Sequence, residues 1–430
     1  MYIIKTKFNM KNVFIGLGIL LINLTGYTQS VNDSTDMGAF YTNQVFYSLA
    51  NGEVANINNN DWDLGFSANG NGAAGSAIIL NEATASLWAY PNDTSGWSTF
   101  DTTGYANWEQ LLNTDTSWTN GAFNKYRGAT GMFDMGWGVL NPQNNFWTFG
   151  DSLYLIKLND NSFRKLWIVS LKSGVWEFKY ANINGTNEQI FTIDKANYSN
   201  KNFVYHSILN NATIDREPDN TNWDLMFAKH TDYVSYANQY VSVTSVFNNS
   251  NVWSAKAHEP NYAIASASTT PQTNFNQNIT NIGREWKKYS SSIGWQIFDS
   301  IAYFVYDNDS SHFYRVVFTG FGGMTSGKTY FNKELLQNVG VNSFEEKVTF
   351  SLYPNPTTDG NVTLLFNYPN NDEIEIEVID LSGKIVFKTT KQLIIGLNKK
   401  QLNLNNLSKG MYVLRIKNKK FNTTQKLLIR

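Results

Sequence analysis

Histidine and methionine carry most of the ligand chemistry that this 430-residue sequence offers, because it contains no cysteine. The four histidines are His206, His230, His258 and His312, and no two of them stand at a spacing typical of a metal site. An iron porphyrin needs one or two axial side chains, often His or Met, in an apolar cleft. His230 lies close behind the apolar segment around Trp223, in reach of Met226 and His258. We therefore take His230, His258 and Met226 as candidate haem ligands; the alternative is that His230 is a hydrogen-bonded residue near a strand end.

Signatures of catalysis are scarce. The sequence has no His-Glu-x-x-His and no Gly-x-Ser-x-Gly motif, and no helical pattern follows the glycine-rich segment Gly320–Thr329, which we interpret as a hairpin connection. Asp63 and Asp224 each stand beside a tryptophan, where a carboxylate that accepts backbone N–H bonds is a simpler interpretation than a catalytic one. Asp307–Ser310 has oxygen atoms suited to calcium, but a polar hairpin turn explains it more simply. We predict no enzymatic activity and no metal site.

Composition indicates a folded protein that does not bind nucleic acid. Apolar residues make up 42% of the chain and charged residues only 16%, which is not the composition of a disordered protein. The formal net charge is -1, so the chain as a whole has no field that would attract a phosphate backbone.

The N-terminus has the order of a secretory leader. Lysines between positions 5 and 11 precede the apolar run Val13–Leu24, and small residues follow at Gly26 and Thr28. We predict a signal peptide at residues 1–28; the alternative is a buried N-terminal helix. The apolar run is too short to span a bilayer and no other stretch reaches the roughly 18 residues needed, so we predict no transmembrane segment.

The middle of the chain repeats itself. The segment Asp61–Phe66 reappears as Asn222–Phe227, and further echoes in the same order pair residues 47–49 with 206–208, 147–154 with 295–303, 164–169 with 313–318, and 174–178 with 327–331. Apolar and polar residues alternate within the echoes, which is typical of β-strands. We predict an all-β fold of tandem duplicated β-sheet units at 29–197 and 198–340. Trp62 should occupy the environment of Trp223, and Trp147 that of Trp295.

The order of motifs in each unit resembles the HmuY family of haem-binding proteins. The motifs are Tyr-Ser-Leu at 47–49, Trp-Asp-Leu-x-Phe at 62–66, Asp-Ser-Leu-Tyr-Leu-Ile-Lys at 151–157 and Lys-Leu-Trp-Ile at 165–168. The resemblance implies an all-β fold and capture of haem through two axial side chains. Members of that family are commonly lipoproteins, whereas this chain lacks the cysteine that would carry the lipid.

Residues 345–430 form a separate module. Short strand-like segments alternate there with turn formers such as Pro354–Pro356 and Ser382–Gly383, which predicts a small Ig-like β-sandwich of six or seven strands. Four motifs resemble the type A C-terminal sorting domain of the type IX secretion system: Leu352–Thr357, Ile379–Lys384, Leu407–Ile416 and Lys426–Arg430. The resemblance implies export via the periplasm by the type IX secretion machinery, removal of the tail, and a secreted or outer-surface location.

Two functions remain open from the sequence. One is a secreted or cell-surface ligand-capture protein of HmuY-like fold, with haem as a possible ligand. The other is a surface adhesion or glycan-binding module without a cofactor, for which the long stretch Asn81–Asn120 supplies aromatic residues: Trp88, Tyr90, Trp97, Trp108 and Trp118. These rings either contact a ligand or cover a small core of their own.

Overall fold

The computed structural model describes residues 30–70, 74–235, 238–338, 350–368, 371–394, 396–418 and 421–430. The predicted signal peptide at 1–28 lies outside these residues. In the part of the chain that is described, no helix is long and apolar enough to cross a membrane.

The described residues are almost entirely β-strands, which confirms the predicted all-β class. Up to residue 111 the strands are β1 (Val31–Asp36), β2 (Asn43–Ser48), β3 (Gly52–Asn58), β4 (Leu64–Ser67), β5 (Ile78–Leu80), β6 (Ser86–Asp93) and β7 (Gln110–Leu111). Up to residue 214 they are β8 (Gly138–Asn141), β9 (Trp147–Gly150), β10 (Ser152–Lys157), β11 (Phe163–Lys172), β12 (Val175–Ala181), β13 (Gln189–Asp194), β14 (Phe203–Ser207) and β15 (Ala212–Ile214).

From residue 225 to residue 338 the strands are β16 (Leu225–Val234), β17 (Gln239–Asn248), β18 (Trp253–His258), β19 (Lys287–Ser290), β20 (Gly294–Ile297), β21 (Ile301–Tyr306), β22 (His312–Phe321) and β23 (Lys328–Asn338). The two α-helices in the described residues are single turns, α1 (Tyr262–Ala265) and α2 (Gly323–Ser326), and the remaining helices are short 3-10 turns.

Four antiparallel sheets build the repeat region. Sheet I has the order β13-β12-β11-β10-β6-β7, with β9 paired to β11 and β8 to β9. Sheet II is β15-β14-β4-β5, sheet III is β17-β16-β2-β3, and sheet IV is β1-β23-β22-β21-β18. Strands β19 and β20 form a separate hairpin.

Each of sheets II and III combines strands from both halves of the repeat. Strand β4 pairs with β14, and β16 pairs with β2, so each half gives its opening hairpin to the sheet of the other half. Strand β1 forms the edge of sheet IV beside β23, and β13 forms the edge of sheet I beside β12. The boundaries at 29–197 and 198–340 remain a prediction about the chain; the sheets are built across them.

The two repeats nevertheless place their central residues in matching environments. Trp62 packs edge-to-face on Tyr205 with ring centroids 4.8 Å apart, and Trp223 packs the same way on Phe46 at 5.1 Å. Tyr205 and Phe46 lie at the same position of β14 and β2. The two tryptophans therefore have the equivalent surroundings that the echoes predict.

Alternation of buried and exposed side chains explains why these segments form strands. In β12 the buried residues Trp176, Phe178 and Tyr180 stand two apart and belong to one apolar core, while the residues between them are half-buried. Every residue of β14 is buried, because this strand lies between β4 and β15 and is covered on both faces.

The C-terminal module is a sandwich of two sheets. Its strands are β24 (Phe350–Tyr353), β25 (Asn361–Tyr368), β26 (Glu373–Ile379), β27 (Ile385–Gln392), β28 (Gly396–Asn403), β29 (Gly410–Lys417) and β30 (Asn422–Ile429). One sheet has the order β24-β25-β28 and the other β27-β26-β29-β30. Their inner faces share a core that contains residues between Phe350 and Ile429 only, so the module has its own apolar interior.

Candidate functional site

A small cavity lies where sheets II and III approach each other. Its lining includes Tyr205 of β14, Met226 and His230 of β16, and Phe247 of β17, and its volume is about 80 Å³. Met226 and His230 stand four residues apart in one strand, so they point to the same face of sheet III. The structure thus brings together two of the three predicted haem ligands.

A loop of the first repeat forms another wall of this cavity. Trp118 places its ring between the two sheets, with centroids 5.9 Å from Phe203 and 5.8 Å from Phe247. Its indole Nε1 donates to the carbonyl oxygen of Asn248 at 2.8 Å. The loop therefore fixes sheet II against sheet III.

His230 already has a hydrogen-bond partner. Its Nε2 lies 2.7 Å from Ser245 Oγ on the paired strand β17, and its ring packs edge-to-face on Phe247 at 4.9 Å. Burial lowers the pKa of His230 to about 4, because the charged imidazolium loses its water. The imidazole is neutral at physiological pH.

Met226, like His230, has a hydrogen-bond partner on a neighbouring strand. Its Sδ accepts a hydrogen bond from Gln44 Nε2 at 2.5 Å, and Gln44 Oε1 accepts one from the buried guanidinium of Arg216. Arg216 also pairs with Asp61, at 3.2 Å between Nε and Oδ1. This chain of contacts joins sheet III to the segment between β15 and β16 and to the segment between β3 and β4, and it leaves the thioether little freedom.

The half-buried residue Glu82 contributes a carboxylate to the cavity. Its two oxygens accept backbone N–H bonds from Asn113 at 2.6 Å and from Thr231 at 2.9 Å. Burial raises the pKa of Glu82 to about 7, although both hydrogen bonds favour the charged form.

The other histidines lie elsewhere. His258 is an exposed residue at the end of β18 in sheet IV and does not line the cavity. His206 is fully buried in sheet II, with Nε2 3.1 Å from the Tyr180 hydroxyl and its ring against Phe178 and Phe191. His312 opens β22 at a hairpin turn.

The residues of the cavity do not fit haem. Pockets for ligands of drug size have volumes of roughly 300–1,000 Å³, and this cavity is several times smaller. An axial bond to iron would also require His230 Nε2 to lose its hydrogen bond with Ser245 Oγ. His258 lies in sheet IV and is not available as a second ligand.

Titration with haemin is therefore expected to give a broad absorption band that is the same in the wild-type protein and in a His230→Ala variant. Adsorption to surface aromatic residues would produce such a band, because it needs no axial ligand. A sharp Soret band that is lost in the variant would contradict this prediction and restore the haem hypothesis.

Most aromatic residues of the stretch Asn81–Asn120 cover a small core that they share with strand β10 of sheet I. Phe100, Leu153 and Leu155 are buried beneath half-buried rings that include Trp88, Tyr90, Trp97, Tyr105 and Trp108. Tyr90 stacks on Phe100 with centroids 4.0 Å apart, and the Trp88 ring packs edge-to-face on Tyr105. These rings pack against one another, as expected if they cover a small core and do not contact a ligand.

A more exposed surface of mainly aromatic residues combines segments of both repeats. We call it the aromatic patch and define it as Phe40, Tyr289, Trp295 and Met324, whose exposed fractions are 65%, 54%, 37% and 56%. Tyr289 and Trp295 face each other across the β19–β20 hairpin with centroids 5.3 Å apart. The turn at residues 39–41 contacts helix α2, which carries Met324. Three distant segments thus form one surface.

The aromatic patch rests on a rigid base. Phe321 packs edge-to-face on Trp295 at 4.8 Å and stacks on Tyr41 at 5.9 Å. Beneath it, the Nζ of the buried Lys287 lies 4.7 Å from the Phe321 ring and donates to the Thr244 carbonyl at 2.8 Å. Trp295 lies so close to Gly323 that a Cβ there would be 2.7 Å from its Nε1, so this position requires glycine.

The segment beside the patch is not a phosphate-binding loop. Residues 322–329 do have the spacing Gly-x-x-x-x-Gly-Lys-Thr, but Lys328 is the first residue of strand β23 and no helix follows it. Helix α2 is a single turn that ends at Gly327, a residue with left-handed φ. The segment is the connection between β22 and β23 that the sequence predicts.

The sequence pairs Trp295 with Trp147 as an echo and gives no prediction of the aromatic patch. In the structure both stand on the second strand of a hairpin, and neither is buried. The available signal was the segment between Tyr289 and Trp295, which is rich in serine and glycine and contains no charge, because such a sequence is typical of an exposed turn.

Comparison with known proteins identifies the C-terminal module. Residues 351–430 match the model of the secretion system C-terminal sorting domain, which confirms the predicted type IX sorting domain. This domain implies interaction with the type IX secretion machinery and export to the cell surface or the extracellular space. A search of curated proteins gave no match.

Two solved structures were matched over most of the chain. One is the trimeric ectodomain of the C. elegans fusion protein EFF-1, with 8% identity, coverage of 94% of this chain and 86% of that chain, and a TM-score of 0.17. The other is a mutant of the same ectodomain, with 7% identity, coverage of 94% and 88%, and a TM-score of 0.17. Neither carries an argument about this fold, and no comparison supports the resemblance to HmuY.

Proposed function

We propose that the exported protein is a cell-surface or secreted binding protein, without a cofactor and without catalytic activity, that binds glycans at the aromatic patch. The observation that carries this proposal is the exposure of Tyr289 and Trp295 on a supported surface. Aromatic faces stack on the C–H faces of sugar rings, and rigid side chains lose little entropy when they do so. Export to the outside of the cell brings such a surface into contact with glycans.

A second candidate is the capture of a small ligand in the cavity between sheets II and III. Its apolar walls with a few converging polar groups, His230 and Glu82 among them, are typical of ligand sites. At about 80 Å³ the cavity admits only a small molecule, so the ligand of this proposal is not haem. Haem capture, which the resemblance to HmuY implies, would need a larger site than this cavity and is a separate hypothesis that the haemin titration tests.

Replacement of Trp295 by alanine is expected to weaken glycan binding at least about tenfold, which corresponds to about 1.4 kcal/mol. The stacking face is lost, whereas the buried base around Phe321 remains. Binding is measured on a glycan array and then by calorimetry with the strongest glycan.

Trp147→Ala is the matched control, because Trp147 is a half-buried tryptophan on the corresponding hairpin of the other repeat. This variant should bind glycans as the wild-type protein does. Equal affinities for all three proteins would exclude the aromatic patch as the glycan site.

A further inference from the structure

The hairpin turn between β21 and β22 gathers three potential metal ligands. Asp307, Asp309 and His312 each offer an atom, and all three atoms lie within 4.8 Å of one another. His312 Nδ1 lies 2.6 Å from Asp307 Oδ2, and the backbone N–H of His312 donates to the other oxygen of Asp307 at 3.0 Å. The turn confirms the predicted hairpin, and its reversal brings the histidine beside the two carboxylates.

Negatively charged side chains accumulate around this turn. A cavity of about 450 Å³ is lined by the three ligands and by two further carboxylates, those of Glu53 and Asp224. Among the described residues that line it there is no lysine or arginine. Carboxylates this close repel one another, and a bound cation would relieve the repulsion.

Asn308, which lines the same cavity, has a side-chain oxygen without a hydrogen-bond partner among the described residues. Asn308 stands between the two aspartates, and its Oδ1 is inaccessible to solvent and accepts no hydrogen bond from the described residues. Its amide nitrogen is used in a bond to the carbonyl oxygen of Asn220. Buried polar atoms are almost always paired, so an unpaired acceptor on a residue that lines the same cavity as the two aspartates is consistent with a cation or a water molecule bound there.

The other repeat shows that the hairpin does not need these ligands. There, five residues separate the paired residues Lys157 and Phe163, and Leu158 stands at the position of Asp307. In the second repeat six residues separate Tyr306 from Phe313, and the additional residue is His312. The same aspartate contact occurs in both turns: Ser162 N donates to Asp160 Oδ1 and Ser311 N to Asp309 Oδ1, each at 2.9 Å.

We propose that Asp307, Asp309 and His312 bind a divalent transition-metal ion, with Zn²⁺ and Mn²⁺ as the ions that fit the donors. Imidazole with carboxylates suits these ions, whereas calcium prefers oxygen ligands alone. Binding replaces the hydrogen bond between His312 Nδ1 and Asp307 Oδ2 with bonds from both atoms to the metal, so Nδ1 binds in its unprotonated form. The site lies apart from the aromatic patch and is independent of the proposed glycan binding.

The test uses the purified protein, dialysed against a chelator and titrated with ZnCl₂, MnCl₂ and CaCl₂ in a calorimeter. We expect one equivalent of Zn²⁺ or Mn²⁺ to bind. The Asp309→Asn variant should bind it at least about tenfold more weakly, because one charged ligand is lost.

Asp160→Asn is the matched control, because Asp160 makes the same turn contact without the other ligands. It should bind the metal as the wild-type protein does. His312→Ala removes the third ligand without touching the aspartates, and the thermal unfolding of each variant, with and without metal, shows whether it is folded. A folded wild-type protein that binds neither ion would overturn the proposal, as would equal affinities in Asp309→Asn and Asp160→Asn or calcium binding that His312→Ala leaves unchanged.

Discussion

Deletion of residues 351–430 is expected to abolish the appearance of the protein outside the cell. These residues match the sorting domain, and their core contains no residue of the repeat region. The deletion therefore removes the export signal without opening the apolar cores of the sheets that precede it. Immunoblots of culture supernatant, surface fraction and cell lysate with an antibody against the repeat region measure the loss, which should reduce the exported fraction to background.

Transfer of the tail provides the reciprocal control. An unrelated secreted reporter that carries residues 351–430 at its C-terminus should appear outside the cell, and mass spectrometry should show that the exported chain has lost this segment. Recovery of the truncated protein outside the cell, or of a full chain that still ends at Arg430, would contradict the sorting assignment.

The repeat was predictable from the sequence, but the exchange of strands was not. The echoes around Trp62 and Trp223 predict two similar strands, and both are present as β4 and β16. Which strand lies beside them depends on backbone pairing between residues more than 100 positions apart, as between Gly65 and Tyr205. Motifs this similar satisfy either pairing equally well, so their spacing cannot distinguish a closed repeat from an exchanged one.

The sequence predicts the arrangement of candidate site residues only where they belong to the same strand. Met226 and His230 share a face because they are four residues apart in β16, whereas His258 belongs to another sheet. The exposure of Trp295 depends on whether a further element covers its hairpin, which no local pattern reveals. Asp63 and Asp224, for which the sequence predicts a structural role, do accept backbone N–H bonds.

These two aspartates hold the exchanged hairpins in place, and their contacts differ in one respect. Asp63 Oδ2 accepts the backbone N–H bonds of Ile208 at 2.7 Å and Leu209 at 3.4 Å. Asp224 instead uses both oxygens, Oδ2 for Leu49 at 2.7 Å and Oδ1 for Asn308 at 2.8 Å. An asparagine offers one acceptor oxygen, so it can replace Asp63 but cannot satisfy both donors at Asp224.

Asp224→Asn is therefore expected to lower the free energy of unfolding by about 1–3 kcal/mol more than Asp63→Asn, because it leaves a buried N–H group without an acceptor. Asp224→Ala, which leaves two such groups, should cost roughly 2–6 kcal/mol, a large part of the stability of an ordinary domain. Urea unfolding of the purified variants, followed by tryptophan fluorescence, measures these differences.

The pH dependence of the two asparagine variants separates the lost hydrogen bond from the lost charge. Burial raises the pKa of both Asp63 and Asp224 to about 6. A carboxyl whose pKa is raised by folding stabilises the protein below its unfolded pKa of about 4, and this contribution disappears as the pH rises through about 6. Asparagine does not ionise, so both variants should gain stability relative to the wild-type protein between about pH 4 and pH 7. The difference between the two variants should stay constant over that range; equal stabilities at every pH would show that the second acceptor oxygen of Asp224 contributes nothing.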